Sequence, residues 1–428
     1  MIRNKMTRLE QFRRLREAKK ASKRKRGTEK RGESKQKKQK LKSVAMVHRE
    51  MQNYIRGLYD PTNIVVWGNF ALPRELLSAC GALLLIPEMI VAMFGRYHHL
   101  IQKLIQEAEA NGIDTTYCSF IKGAMGAALK GYLPTPDLVA TTGSYDYCDT
   151  SHIMEELSGK FDCQFVPLDI PNNVEYVAEQ LRQLAQKICL KTGRNIEEVE
   201  SKYLPYIIEQ SNQGRKIWRE VFELRKKTPC PLKGSEALTF LPNLFPLGYH
   251  QLEPSLALLL REVQKRLPKE ELGEKKGEKT PRLLYHHLPL FSGSINQEPM
   301  DLLALIEDVV GAEIVVESVN LPPDNIPELI DPYQSLAQDL LDRADFGIKF
   351  SQWKRLAGEI HDQFQIDGVI VLKHIHCDFI KHTLHRLLKH WKREGTKTLV
   401  LEADALCENS LHRLKNRLEI FKEIITGL

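Results

Sequence analysis

The chain has 428 residues, 42% apolar and 27% charged. That composition excludes a wholly disordered, collagen-like or membrane-embedded protein and leaves room for two or three domains. The formal charge of +7 is unevenly spread: residues 1–42 carry 19 Lys/Arg against 4 Asp/Glu, and residues 43–428 carry 43 against 51.

The first 20 residues place Ile2, Met6, Leu9, Phe12 and Leu15 at helical spacing. Residues 21–43 are almost pure Lys, Arg, Ser, Gly, Glu and Gln and read as disordered. Residues 1–45 are thus expected to be a basic, largely disordered tail. Such a tail is either simply solvated or an electrostatic contact for nucleic acid, an anionic surface or an acidic partner. Phe12 alone interleaves with the charges, which gives base stacking no support.

From residue 46 the pattern becomes α/β. Strand-like runs cover 64–70, 115–120, 136–143 and 164–171, with helices over 73–82 and 122–131. The second helix is rich in Gly and Ala and suits very close packing. The most apolar stretch, Gly81–Gly95, is interrupted by Pro87 and Glu88. It falls short of the roughly 18–20 apolar residues of a membrane span. Residues 173–227 read as continuous helix, followed by a Pro/Gly break over 228–237, more helix, and a charged linker over 268–281. A second set of strands covers 282–289, 312–319, 368–375 and 398–404, and an amphipathic helix, Ser410–Ile425, ends the chain. The expected fold is α/β, with two doubly wound, Rossmann-like parallel-sheet domains joined by helices. The domains are expected over 46–235, including a helical extension, and 236–428.

No apolar segment follows the basic N-terminus as a secretory signal requires, so the expected location is cytoplasmic and the eight cysteines are expected to be reduced. There is no G-x-G-x-x-G after a strand, no G-x-S-x-G, no H-E-x-x-H and no C-x-x-C. Gly273–Thr280 has the outline of a phosphate loop. Glu278 replaces the glycine needed before Lys279, however, and a carboxylate there repels phosphate. Three cysteines stand out by position. Cys118 closes the first short strand-like run, Cys148 follows the run at 136–143, and Cys377 follows the run at 368–375. Ligands of open α/β sheets bind at the carboxyl ends of strands. The three are therefore candidate ligands of a metal or cluster between the domains, against the alternative of unrelated buried thiols. His374, His376, Cys377 and Asp378 offer zinc as another possibility. His286 and His287 end a strand at the same crevice. Cys80, Cys163, Cys189, Cys230 and Cys407 read as packing residues, and Lys381–Arg393 as a solvated helix face.

Several segments in this order resemble the subunits of 2-hydroxyacyl-CoA dehydratases and benzoyl-CoA reductases, over roughly residues 60–425. They are Asn69–Ala82 ("NFALPRELLSACGA"), Tyr117–Val139 opening at its cysteine, the Cys148-Asp149 pair, and Ser211–Leu238 with Asn212 and Arg215. The others are Asp367–Ile370 ahead of Cys377, and Glu402 and Asp404 before an Arg-rich helix. The resemblance implies that Cys118, Cys148 and Cys377 bind a 4Fe–4S cluster with one iron left open. It implies that this iron takes the thioester carbonyl oxygen of an acyl-CoA. One electron from a separate ATP-driven iron–sulfur activator then gives a ketyl radical that expels the hydroxyl group. It places a carboxylate near the cluster, matched by Glu88, whose alternative is a solvated loop carboxylate. It implies pairing as a homodimer or with a related subunit. Phe70 stands where the family often carries a small hydroxyl residue, and His287–Pro289 where it tends to G-x-P; both leave the acyl group open. A reductase on the same scaffold, benzoyl-CoA reductase-like or with a double-cubane cluster, is the alternative activity. A non-catalytic protein binding nucleic acid through its tail is a further one.

Overall fold

The computed structural model describes residues 6–26, 41–93, 98–143, 150–267, 280–286, 301–342, 358–403 and 410–427. Two helices, α1 (Arg8–Arg26) and α2 (Lys42–Leu58), precede the first sheet. That sheet holds β1 (Ile64–Gly68), β2 (Ala82–Leu85), β3 (Leu138–Thr142) and β4 (Phe165–Leu168). Between and after the strands run α3 (Arg74–Ala79), α4 (Pro87–Met93), α5 (His98–Ala110), α6 (Ser119–Leu129) and α7 (Thr150–Phe161). A helical layer follows: α8 (Val174–Thr192), α9 (Ile196–Glu198), α10 (Leu204–Leu224), α11 (Gly234–Ala237) and α12 (Leu241–Gln264). The second sheet holds β5 (Arg282–His286), β6 (Glu313–Glu317), β7 (Gly368–His374) and β8 (Lys397–Ala403). Its helices are α13 (Asp301–Val310), α14 (Pro332–Asp342), α15 (358–364), α16 (Asp378–Arg393) and α17 (Ser410–Thr426).

Both sheets are entirely parallel, with strand orders β2-β1-β3-β4 and β6-β5-β7-β8. The two orders are equivalent. Each reverses direction between its first and third strands, at β1/β3 and at β5/β7, and such switch points are where doubly wound sheets form their crevices. The four strands of the second sheet fall within a residue or two of the expected runs, apart from the end of the 282–289 run, which lies beyond the described residues. Buried parallel strands read as continuous apolar runs, and these do.

The first sheet differs from expectation at one strand. Residues 115–120 are not a strand. The Asp114 carboxylate accepts the Thr116 N–H and hydroxyl, both at 2.8 Å, and this local turn runs straight into α6. The fourth strand is instead Ala82–Leu85, inside the apolar stretch read only for membrane potential. Gly81, with φ 77°, turns the chain out of α3 so that this run can pair with β1.

The N-terminal segment is more ordered than a free tail over its described part. Arg8 donates to the Thr135 carbonyl (3.0 and 2.8 Å), the Asn63 carbonyl (2.6 Å) and the Asp137 carboxylate (2.5 Å). Gln11 bonds Thr135, Leu15 is buried, and the Phe12 and Tyr59 rings lie 5.0 Å apart. The start of α2 is capped by Glu262 of α12, which accepts from Lys42 N, Ser43 N and the Ser43 hydroxyl. Residues 27–40 lie outside the described residues.

The expected small-residue helix packs closely. A Cβ at Gly126 of α6 would overlap the Leu104 carbonyl of α5. Helices on either side of residue 235 also pack together: α12 lies along α10 and against α2, and α14 lies on α8.

The two sheets are fixed to each other along α10. Its buried face carries Ser211, Asn212, Arg215 and Trp218 at helical spacing. The Asn212 amide donates to the Ile326 carbonyl and accepts the Ile326 N–H, at 2.9 and 2.7 Å. Arg215 makes a forked pair with Asp339 (2.5 and 3.1 Å), donates to the Asp324 carbonyl, and lies 3.8 Å from Glu75 of α3. Trp218 donates to the Asn320 carbonyl and Arg219 to the Pro323 carbonyl. Residues 320–326, leaving the second sheet, are thus tied over two turns of a helix that packs on α3 of the first half. Replacing Arg215 with Met would leave the buried carboxylates of Asp339 and Glu75 without their cation. We expect a loss of about 3–5 kcal/mol, read from the urea unfolding midpoint; a loss below about 1 kcal/mol, the scale of a surface pair, would mean that the pair is solvated.

Candidate functional site

At the carboxyl end of the first sheet, Asn69 directly follows β1 and is buried. Its amide donates to the Thr142 carbonyl at the end of β3 (3.0 Å), bridging the switch point. At the carboxyl end of the second sheet stand His286, the last residue of β5, and His374, the last of β7. Burial pushes the two imidazoles down, to about 4 and about 3, so both are neutral at ordinary pH. The His286 ring meets the edge of Trp391, with centroids 5.8 Å apart.

The two halves of the chain meet at the carboxyl end of β7. Phe120, in the first turn of α6, packs edge-on to His374, with ring centroids 5.4 Å apart. Cys118 precedes this contact as the N-cap of α6, and Cys377 follows it as the N-cap of α16. Both thiols are half-buried. Cys118 therefore differs from expectation in its setting, since it starts a helix rather than ending a strand. Cys377 lies beyond β7 as expected, after a turn in which His376 has φ 62°. Cys148 and Asp149 lie outside the described residues, as do His287 and Cys407.

Glu88 is in the first turn of α4 and only 3% exposed, so it is not a solvated loop carboxylate. Its Oε1 accepts the Thr150 hydroxyl at 2.9 Å, and Thr150 lies two residues after Cys148. Its Oε2 is buried with no partner among the described residues. Burial raises its pKa, and the Thr150 hydrogen bond opposes that only in part. The Ser119 hydroxyl, next to Cys118, is likewise buried and has no partner among the described residues. Asn69, Ser119 and Thr150 carry no motif in the sequence. Their signal was positional: a polar residue directly after a strand, after Cys118, and after the Cys-Asp pair.

A three-thiolate cluster would be anionic, and the residues present suit it. Two thiols sit at the starts of helices of 11 and 16 residues, where unpaired N–H groups and the helix dipole favour negative charge. Each comes from a different sheet-bearing half, and among the described residues the buried Ser119 hydroxyl beside Cys118 has no partner. Among the described residues, no three His, Cys, Asp or Glu side chains converge as a metal site. The zinc arrangement loses its basis, because His374 is buried at the strand end and His376 is exposed in the turn. The other described thiols are engaged elsewhere. Cys80 and Cys189 neighbour each other between α3 and α8, the Cys230 thiol donates to the Leu232 carbonyl (3.1 Å), and Cys163 is near its own strand.

The model of the family described as 2-hydroxyglutaryl-CoA dehydratase, D-component, matches residues 69–425 of this chain. No curated protein matches it. Among the described residues, no helix is long and apolar enough to cross a membrane.

The buried neutral His286 gives a pH test of how dry this end of the sheet is. Its folded pKa lies below the unfolded value near 6.5, so its contribution is complete above about pH 6.5 and is lost as the pH falls toward about 4. His286→Phe is expected to remove about 3 kcal/mol of this acid sensitivity, measured as denaturant midpoints across that range. Parallel pH profiles for the two proteins would show the imidazole to be hydrated.

Proposed function

This chain belongs to the 2-hydroxyglutaryl-CoA dehydratase D-component family, and on that premise we propose that it is the cluster-bearing subunit of an enzyme that eliminates water from a 2-hydroxyacyl-CoA. Family membership by itself supports the coarser statement: a dehydratase component, hence a lyase subunit acting on an acyl-CoA. The observation that carries the finer reading is the contact between Phe120 and His374. It brings together two helix starts, each headed by a cysteine, from the two halves of the chain.

Cys118, Cys148 and Cys377 would hold a 4Fe–4S cluster. When bound, such a cluster supplies one-electron chemistry and an iron not capped by protein sulfur. The chain's own residues contribute in three ways. The N–H groups at the starts of α6 and α16 favour the negative charge of thiolates. Phe120, His374 and His286, all buried, keep water from the switch points. Glu88 would hold and move a proton. Thr150 fixes its Oε1, burial favours its neutral form, and its Oε2 makes no competing hydrogen bond among the described residues. The proposed partners are an ATP-driven iron–sulfur activator and a second subunit, identical or related.

Iron and acid-labile sulfide, measured per chain on protein purified without oxygen, test the cluster. About four of each, lost in a Cys118→Ser/Cys148→Ser/Cys377→Ser variant, is the expected result. About eight irons, two cubanes' worth, would replace the proposal by a double-cubane reductase, and no iron after anaerobic reconstitution would overturn it. Glu88→Gln is expected to keep its iron and lose about 10²–10⁴-fold in kcat with activator and a 2-hydroxyacyl-CoA. Undiminished turnover would remove Glu88 from the chemistry.

A further inference from the structure

We infer that the outer face of α1 binds the phosphate backbone of a nucleic-acid duplex. The docking of this helix divides its residues. Arg8, Gln11, Phe12 and Leu15 face the body and are engaged there. The solvent side carries Arg13, Arg16 and Lys20 at spacings of three and four, all exposed, with exposed Glu17 between Arg13 and Lys20. None of the three forms an ion pair with a described carboxylate, although residues 43–428 hold more acidic than basic side chains. The Arg16 guanidinium lies over the Phe12 ring, 5.8 Å from its centroid. Glu10 is occupied by the Thr7 N–H and hydroxyl at the helix start. The body thus holds the helix by one face and leaves the net-cationic stripe in solvent.

The chemistry of that stripe selects the partner. It runs about 10 Å along the helix axis, and a duplex presents one negative charge about every 1.7 Å. A helix lying in a membrane interface needs a broad apolar face. In α1 that role is already used, because Leu15 and Phe12 are docked and Leu9 is the one large apolar residue left exposed among those described. Single strands are gripped by stacking on aromatic rings, and the outer stripe has none. What remains is sequence-independent charge contact with phosphates. The attachment point also keeps this surface apart from the candidate site. Asp137, which holds Arg8 and accepts the Val65 N–H, lies at the amino ends of β1 and β3, opposite the carboxyl ends. A duplex on α1 would leave the switch points uncovered, so this inference stands or falls separately from the dehydratase reading.

The test uses the full chain and fluorescence anisotropy of a labelled random-sequence duplex of about 20 base pairs, between about 50 and 200 mM salt. Wild type is expected to bind with an affinity that falls steeply with salt. Arg13→Glu/Arg16→Glu/Lys20→Glu is expected to bind at least tenfold more weakly at the low-salt end, and its slope of log affinity against log salt to be smaller by about three. The milder Arg13→Gln/Arg16→Gln/Lys20→Gln variant should show the same loss of slope with an unchanged thermal midpoint and iron content. A charge-matched control on α16, Lys389→Glu/Lys392→Glu/Arg393→Glu, should bind like wild type. No binding by wild type, unchanged slopes in the α1 variants, or equal loss in the α16 control would overturn the inference. So would phosphatidylserine vesicles that bind in an α1-dependent way while the duplex does not.

Discussion

A guanidinium sealed from water has to keep its carboxylate. Arg215 is 1% exposed, and its forked pair with Asp339 ties α10 to α14, while Glu75 approaches from α3. These elements belong to different parts of the chain, so satisfying one buried charge fixes their arrangement. The neighbouring bonds from Asn212, Trp218 and Arg219 go to the backbone carbonyls of Ile326, Asn320 and Pro323. A buried pair of this kind is a weak source of net stability, because desolvation offsets much of the Coulomb gain. Its value here is positional, since any other packing of the two halves would strand a charge.

That constraint makes the rest of the architecture useful. The sheets share one topology and bring their carboxyl ends toward a common boundary, marked by the Phe120–His374 contact. Asn69 closes the first switch point by hydrogen bonding, and two neutral histidines line the second. Helix starts carrying Cys118 and Cys377 supply favourable potential for anionic ligands. Few arrangements combine exclusion of water with stabilisation of negative charge without burying a cation, and helix dipoles are one of them. Glu88 fits the same pattern. It is a carboxyl group pushed toward its neutral form by burial and oriented by a single hydroxyl.

The basic N-terminal segment follows a different logic. Its charge density is that of a free tail, yet α1 is docked through one arginine and a short apolar stripe. The docking point sits at the amino ends of β1 and β3, and α1 precedes the span matched by the family model. The segment therefore docks at the amino ends of the strands, away from the carboxyl ends that carry the candidate site.

The sequence by itself determined the α/β class, the four strands of the second sheet, the terminal helix and the family to which the chain belongs. Buried parallel strands leave long apolar runs, and a family leaves residues in a fixed order; both signals are local. The same local reading misplaced one strand. Thr115–Phe120 has the β-branched and aromatic residues of a strand, but Asp114 turns it. Ala82–Leu85 is a strand because Gly81 redirects the chain toward β1. The cysteines were legible as candidates, but the helix-start setting of Cys118 was not. Asn212 and Arg215 could be noticed by resemblance only, because their partners lie more than a hundred residues away. Tertiary structure alone decided that Arg215 is a clamp, that Glu88 is buried, that His374 and His376 part company, and that α1 has an inner and an outer face. Each depends on which groups lose their water on folding, and that is set by neighbours in space.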